Sequence, residues 1–397
     1  MGRFFENDLH DEFGSWPLAY TATGGPDVGV IAAVGTAVGD GDDGAFHDAW
    51  VAAGDRFAAE AEAAEAEGHR ASACSGFLAA AACYATSYHP LYGTPVDPRL
   101  VAAFRTQIAA FDKGLARLPD PGRPLAIPYE GTTLPGYFLP ARGRAGERRP
   151  LVIVTNGYDA TVTEMYFAIA EPAARRGYHV LFFDGPGQGG PLIEQGLKIR
   201  PDWEAVIRPV VDLALTFPEV DPDRIALHGW SLGGYLALRG AGGAPRIAAC
   251  VADPGLAAVM TMDFLKGMGL DEAEITGAAP FPEAATKALT ADPGMHWKIV
   301  QRGFWVHGVS SLQEYLATAL TFTLDGRIDG IRCPTLLTMA ENDRLARGAP
   351  ALLDRLTCPK TLVRFTAAEG AGDHCEVANR SLANRRILDW LDATLRP

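Results

Sequence analysis

Apolar residues in the first 122 positions recur at three- and four-residue steps. Phe46, Trp50, Ala53 and Phe57 make one stripe, and Phe77, Ala80, Ala81 and Tyr84 another. That spacing gathers them on one helix face, so 1–122 reads as a helical N-terminal domain. It closes at the Pro-rich stretch Leu118-Pro119-Asp120-Pro121-Gly122. From Leu125 the pattern changes. Runs at 125–129 and 133–139 predict a hairpin turning at Glu130-Gly131. Short apolar, β-rich runs follow at 151–155, 180–184, 225–229, 250–253, 335–339 and 361–365. Helical patterns lie between most of them, at 163–176, 202–216, 231–239, 349–356 and 376–395. Short continuous apolar strands alternating with helices predict an α/β fold with a mostly parallel sheet covered on both faces. Within this second domain, 123–397, the stretch at about 256–330 keeps helical spacing with several Met and aromatic residues and shows no strand. It is too long for a connection and reads as a helical insertion over the C-terminal edge of the sheet.

Composition narrows the class. A chain of 397 residues, 48% hydrophobic and 21% charged, can bury a core that needs no disulfide or metal. A net charge of −13 disfavours nucleic acid and anionic lipid surfaces as partners, leaving a small molecule. The basic cluster from Arg142 to Arg149 is broken by Gly and Glu and reads as a solvated turn. Six scattered cysteines without a C-x-x-C pair suit a reducing compartment. The acidic N-terminus lacks a signal-peptide pattern, and the longest apolar runs, such as 28–38, are too short to span a bilayer. A cytoplasmic protein is expected.

The strongest chemical signal is Gly229-Trp230-Ser231-Leu232-Gly233, a G-x-S-x-G between a predicted strand and an Ala/Leu-rich helix. Such a turn needs glycines on both sides of a serine held in a strained conformation, and it lifts the hydroxyl above the sheet. A serine nucleophile needs a base, and the base needs an orienting acid. Asp343 follows the 335–339 strand, and His374 lies in the Gly-rich loop after 361–365, giving the chain order Ser, Asp, His. Asp253, at the end of the preceding strand, is a second candidate acid. Glu341 and Asp373 read as solvent-facing carboxylates, and His228 as a core residue. His89, His296 and His307 lie in helical stretches. The backbone N–H of Leu232 and that of Tyr158, in the loop Thr155-Asn156-Gly157-Tyr158-Asp159, are the candidate donors to a developing oxyanion. Asp373-His374-Cys375-Glu376 has metal-ligating residue types but no second ligand cluster, so no metal is expected. Gly185-Pro186-Gly187-Gln188-Gly189-Gly190 satisfies G-x-G-x-x-G, yet Pro186 and Pro191 interrupt it and no helix is expected to open directly after it. No nucleotide or other cofactor is expected.

On these residues the chain from about Leu125 resembles the α/β-hydrolases. Its helical N-terminal region, Trp305-Val306-His307-Gly308-Val309 and Glu369-Gly370-Ala371-Gly372-Asp373-His374-Cys375-Glu376 are similar to one branch of them. That branch includes 2,6-dihydroxypseudooxynicotine hydrolase and the fungal hydrolase that shortens a heptaketide naphthopyrone. The resemblance implies Ser231 as nucleophile, Asp343 as acid, His374 as base, a helical cap beside the site and a homodimer. It also implies cleavage of a C–C bond next to a carbonyl, or of an ester or amide. Phe77, Tyr84, Tyr88, Tyr92 and Trp305 are candidate substrate contacts in a cavity between the helical cap and the insertion, with packing in the cap core as the alternative reading of them. Asp263, early in the insertion, is a further candidate. A cyclase or acyltransferase on the same scaffold, or a small-molecule receptor, are the rival classes.

Overall fold

The computed structural model describes residues 3–396. Its centre is one eight-stranded sheet: β1 (Arg123–Tyr129), β2 (Thr132–Leu139), β3 (Arg149–Thr155), β4 (His179–Phe183), β5 (Val220–Trp230), β6 (Ile247–Asp253), β7 (Thr335–Ala340) and β8 (Lys360–Phe365), in the order β1-β2-β4-β3-β5-β6-β7-β8. β2 runs antiparallel to both neighbours, and the six strands from β3 onward are parallel. The hairpin turns at Glu130 and Gly131, both at positive φ, with Tyr129 facing Thr132. β4 is buried at every residue, whereas β1 and β8 at the edges are partly exposed.

β3 and β5 are neighbours, and the chain leaves β3 toward β4 on one side and β5 toward β6 on the other. This reversal opens a crevice at the carboxyl ends of β3 and β5, the position where open α/β sheets bind ligands.

The N-terminal region forms α1 (Asp8–Gly14), α2 (Val28–Val38), α3 (Asp43–Ala66), α4 (Arg70–Ser87) and α5 (Pro98–Leu115). α4 is buried without a break from Phe77 to Ser87, and its run of alanines lets α3 and α5 close on it. The helices share an apolar core with the sheet rather than standing apart from it. Phe111 of α5 meets Tyr137 of β2 edge-on at 5.0 Å. Gln107 donates to the hydroxyls of Thr161 and Thr163 at 2.7 and 2.9 Å.

Between β6 and β7 the chain forms a helical insertion whose base is closed by an antiparallel bridge from Ala258 to Thr323. Its small core holds Leu265, Leu270, Ile275, Ile299, Leu312 and Leu316. The segment Trp297–Gly303 is wound as a π-helix, and the Trp297 indole donates to the carbonyl of Pro90 in the N-terminal region. Among the described residues no helix is long and apolar enough to cross a membrane.

Two local expectations are corrected. The last helix starts at Arg380, not 376, because Cys375 (φ 53°) and Glu376 (φ 50°) are left-handed, a conformation that interrupts an α-helix of L-residues. A short helix, Gly189–Ile193, does open after the Gly-rich stretch, with Pro191 accommodated in its first turn.

Candidate active site

Ser231 closes the turn after β5 at φ 60°, a strained value for a non-glycine residue. Its amide donates to the Asp253 carbonyl at 2.6 Å, which pins the turn to the end of β6. A Cβ on Gly229 would lie 1.8 Å from the Gly233 carbonyl oxygen, so the turn closes only around glycine there.

The loops after β7 and β8 converge on this serine. They are tied together by the Asn342 amide donating to Gly372 and by the Ala367 amide donating to the Glu341 carboxylate. Nδ1 of His374 lies 2.7 Å from Oδ2 of Asp343, and Nε2 lies 2.9 Å from Oγ of Ser231. With Nδ1 protonated and donating to the carboxylate, Nε2 is left to accept from the hydroxyl. Asp343 is buried, and its other oxygen accepts from the Leu345 amide. Burial pushes the His374 imidazole down, but the bond to Asp343, its charge and that of Asp253 more than offset this and hold it above its ordinary value. Cys375 Sγ comes within 3.4 Å of Nε2. Burial raises that thiol well above its usual range, so it stays neutral beside the imidazole.

The loop after β3 lies against the serine. A Cβ on Gly157 would meet Trp230 O at 2.7 Å, Ser231 Cβ at 2.8 Å and Leu232 N at 3.4 Å. The amides of Leu232 and Tyr158 make no hydrogen bond among the described residues. Asn156, Asp184 and Gln188 hold this loop, a role that the sequence reading does not assign to them. Asn156 donates to Asp184 at 3.0 Å and accepts from the Gly157 amide at 2.7 Å. Gln188 donates to the carbonyls of Asn156 and Gly157 at 2.9 and 2.7 Å. The G-x-G-x-x-G stretch is thus filled by protein: Gly187 abuts Ile199, and Gly189 abuts the Asp184 carboxylate. The Asp-Gly-Pro-Gly-Gln-Gly run closing β4 was the available signal.

Asp253 does not approach the imidazole nitrogens. It is fully buried, bonded to the Thr338 hydroxyl at 2.7 Å and to Arg380 at 2.5 Å. Arg380 also binds Glu376 and the Cys375 carbonyl, each at 3.2 Å, so one buried guanidinium joins the end of β6 to the strained turn after His374. His228, 4.0 Å from Asp253, is buried and pushed down to about 3 by its desolvation and by Arg380.

The space directly over Ser231 is a narrow slot of about 10 Å³, room for about one water. Trp16, Gly157, Tyr158, Asp159, Trp230 and Val377 are among its walls. The expected substrate contacts lie elsewhere. Tyr84 packs on Gly54 and donates to Asp55 at 2.7 Å, while Tyr88 is fully buried and donates to Gln107 at 2.6 Å; both belong to the helical core. Phe77 is buried among α3 and α4. Asp263 is exposed on the helix Met262–Gly267. Trp305 and Tyr92 meet edge-on at 5.2 Å in the wall of a separate cleft of about 910 Å³ between the N-terminal region and the insertion. Aromatic residues on a helix carry the same spacing whether they face a core or a cavity: Phe77, Tyr84 and Tyr88 face the core, and Tyr92 and Trp305 the cleft. Among the described residues no three metal-ligating side chains gather.

Residues 151–383 match the alpha/beta hydrolase family. Hydrolase LUC6 of a Fusarium species and 20-hydroxy-prefusarin hydrolase FUS2 of Gibberella moniliformis are each 33% identical to the chain, over 93% of it and 92% of their own lengths. The crystal structure of 2,6-dihydroxy-pseudo-oxynicotine hydrolase superposes with a TM-score of 0.74 over 95% of each chain at 23% identity, a likeness of fold. The resemblance drawn from the sequence is therefore borne out, and this chain belongs to the alpha/beta hydrolase family and is a hydrolase.

Proposed function

We propose that the chain is a serine hydrolase working through an acyl-enzyme, with Ser231 as nucleophile, His374 as general base and acid, and Asp343 orienting the imidazole. One observation carries this reading: the unbroken line from Asp343 through His374 to Ser231, at 2.7 and 2.9 Å, next to a turn and a loop whose Leu232 and Tyr158 amides make no hydrogen bond among the described residues. Ser231 Oγ bonds to the substrate carbonyl carbon as its proton passes to Nε2, and the oxygen becomes an oxyanion facing Leu232 and Tyr158 N–H. Collapse breaks the bond to the leaving group, which takes the proton back from His374. Water, deprotonated by the same imidazole, then releases the acid. When the leaving atom is carbon, an adjacent carbonyl must hold the electron pair until His374 protonates it.

The substrate class we infer is a small aromatic or polyketide carbonyl compound, cleaved at a β-diketone C–C bond or an ester. The aromatic walls of the slot, Trp16, Tyr158 and Trp230, support it, as does the likeness to the 20-hydroxy-prefusarin hydrolase of Gibberella. A cytoplasmic setting fits the six free cysteines. The test is turnover of 1-phenyl-1,3-butanedione and of p-nitrophenyl butyrate. The wild-type chain should cleave at least one and Ser231→Ala neither; equal rates in both proteins would refute the assignment. The smallness of the slot favours a second reading, a cyclase or acyltransferase that keeps water from the acyl-enzyme. Product formed in oxygen-18 water decides: label in the released acid means hydrolysis.

A further inference from the structure

Arg302 stands on the π-helical stretch of the insertion and reaches the loop after β3. Its Nη1 donates to Oδ2 of Asp159 at 2.6 Å, and its guanidinium lies 4.2 Å from the centre of the Tyr158 ring and 5.3 Å from that of Trp297. The pair is largely withdrawn from water, with side chains 15% and 11% exposed. Asp159 also lines the slot over Ser231; its Oδ1 has no partner among the described residues, and its carbonyl accepts from the Tyr92 hydroxyl at 2.8 Å. An anionic carboxylate one residue from an oxyanion donor works against the reaction. The tetrahedral oxyanion would form beside a like charge in a site where water screens little.

We propose that Arg302 is a positioning residue for the oxyanion hole. The guanidinium neutralises Asp159 and clamps Tyr158 from above, so the hole acquires its working potential only while the insertion is seated. This rests on the Ser231 reading. It gives the insertion a part in turnover beyond covering the sheet, because its ion pair with the loop after β3 is also what makes that loop receptive to negative charge. The π-helical winding, uncommon and often found at functional sites, is the local feature that carries this arginine.

The experiment uses the full chain with p-nitrophenyl butyrate as substrate and phenylboronic acid as an anionic tetrahedral mimic. Arg302→Met should lower kcat by about thirtyfold or more, with KM within about threefold, and weaken the boronate by a similar factor. Arg302→Lys, which keeps the charge, should hold kcat within about fivefold and serves if the methionine variant fails to fold. The decisive protein is the double variant Arg302→Met/Asp159→Asn. Removing both charges should restore about tenfold or more of the lost kcat per fluorophosphonate-titrated active site, so that a mere regain of folded protein does not count. A double variant as slow as Arg302→Met, or a loss confined to KM, overturns the proposal. If instead wild type and Ser231→Ala turn over the ester equally, the nucleophile assignment is what has failed, and this inference falls with it.

Discussion

His374 is held under opposing influences, burial against the charge and hydrogen bond of Asp343, and the second prevails. The sign of the pH dependence follows. In the proposed mechanism His374 works as neutral imidazole, so kcat/KM should rise with pH along a limb whose midpoint lies above the ordinary value of about 6.5. Asp343→Asn removes the main raising influence, so the limb should move to lower pH while kcat falls by about a thousandfold or more. A limb that stays in place in the variant would mean that Asp343 does not govern the imidazole. The meeting of Ser231, Asp343 and His374 is legible in sequence because each sits in a local pattern, a strand running into a Gly-flanked turn or loop. Arg302 with Asp159 and Arg380 with Asp253 were not legible. Their partners lie 143 and 127 residues apart, and nothing near an isolated arginine reports that it ends up buried against a distant carboxylate.

At the scale of elements, the loops after β3 and β4 are held by carboxyls that folding takes from water. Burial, only partly offset by hydrogen bonds, raises Asp184 to about 7, and likewise Glu164 to about 8. Folded values above unfolded ones favour the native state most below about pH 4, and that advantage is lost as pH rises through 7 to 8. The melting temperature should therefore fall between pH 5.5 and 8.5, and Asp184→Asn should flatten the fall. A wild-type Tm that climbs across that window would contradict this account of the loops. The turn after His374 depends on a different device. Arg380→Met strands Asp253 and Glu376 as buried carboxylates and should cost about 3–5 kcal/mol of stability, read by denaturant unfolding. The same turn is where periodicity failed: the apolar spacing of 376–395 suits a helix, but the left-handed Cys375 and Glu376 are imposed by tertiary contacts with Arg380 and the end of β6.

The whole molecule closes over its own crevice. The segment Trp16–Ala19 packs on the His374–Asn379 turn, Trp16 lies 6.2 Å from Trp230 between ring centres, and Phe13 meets both His89 and the insertion's Trp297. A slot with room for one water is too small for the proposed aromatic substrate class, and that proposal therefore requires the N-terminal segment or the insertion to shift during turnover. Trp16→Ala should accordingly speed inactivation by a bulky aryl fluorophosphonate more than by a methyl one; equal effects on both reagents would place the barrier elsewhere. The mostly parallel sheet could be anticipated from the alternation of apolar runs and helices. The shared core between the N-terminal helices and the sheet could not, since Gln107, Phe111 and Tyr137 read as ordinary amphipathic positions until they meet. The most direct measurement of the central claim is peptide mass mapping of the chain after treatment with a small fluorophosphonate. The account predicts a single stoichiometric adduct on Ser231, slowed sharply by His374→Ala and absent in Ser231→Ala. An adduct on another residue, or none while the protein still turns over ester, would contradict it.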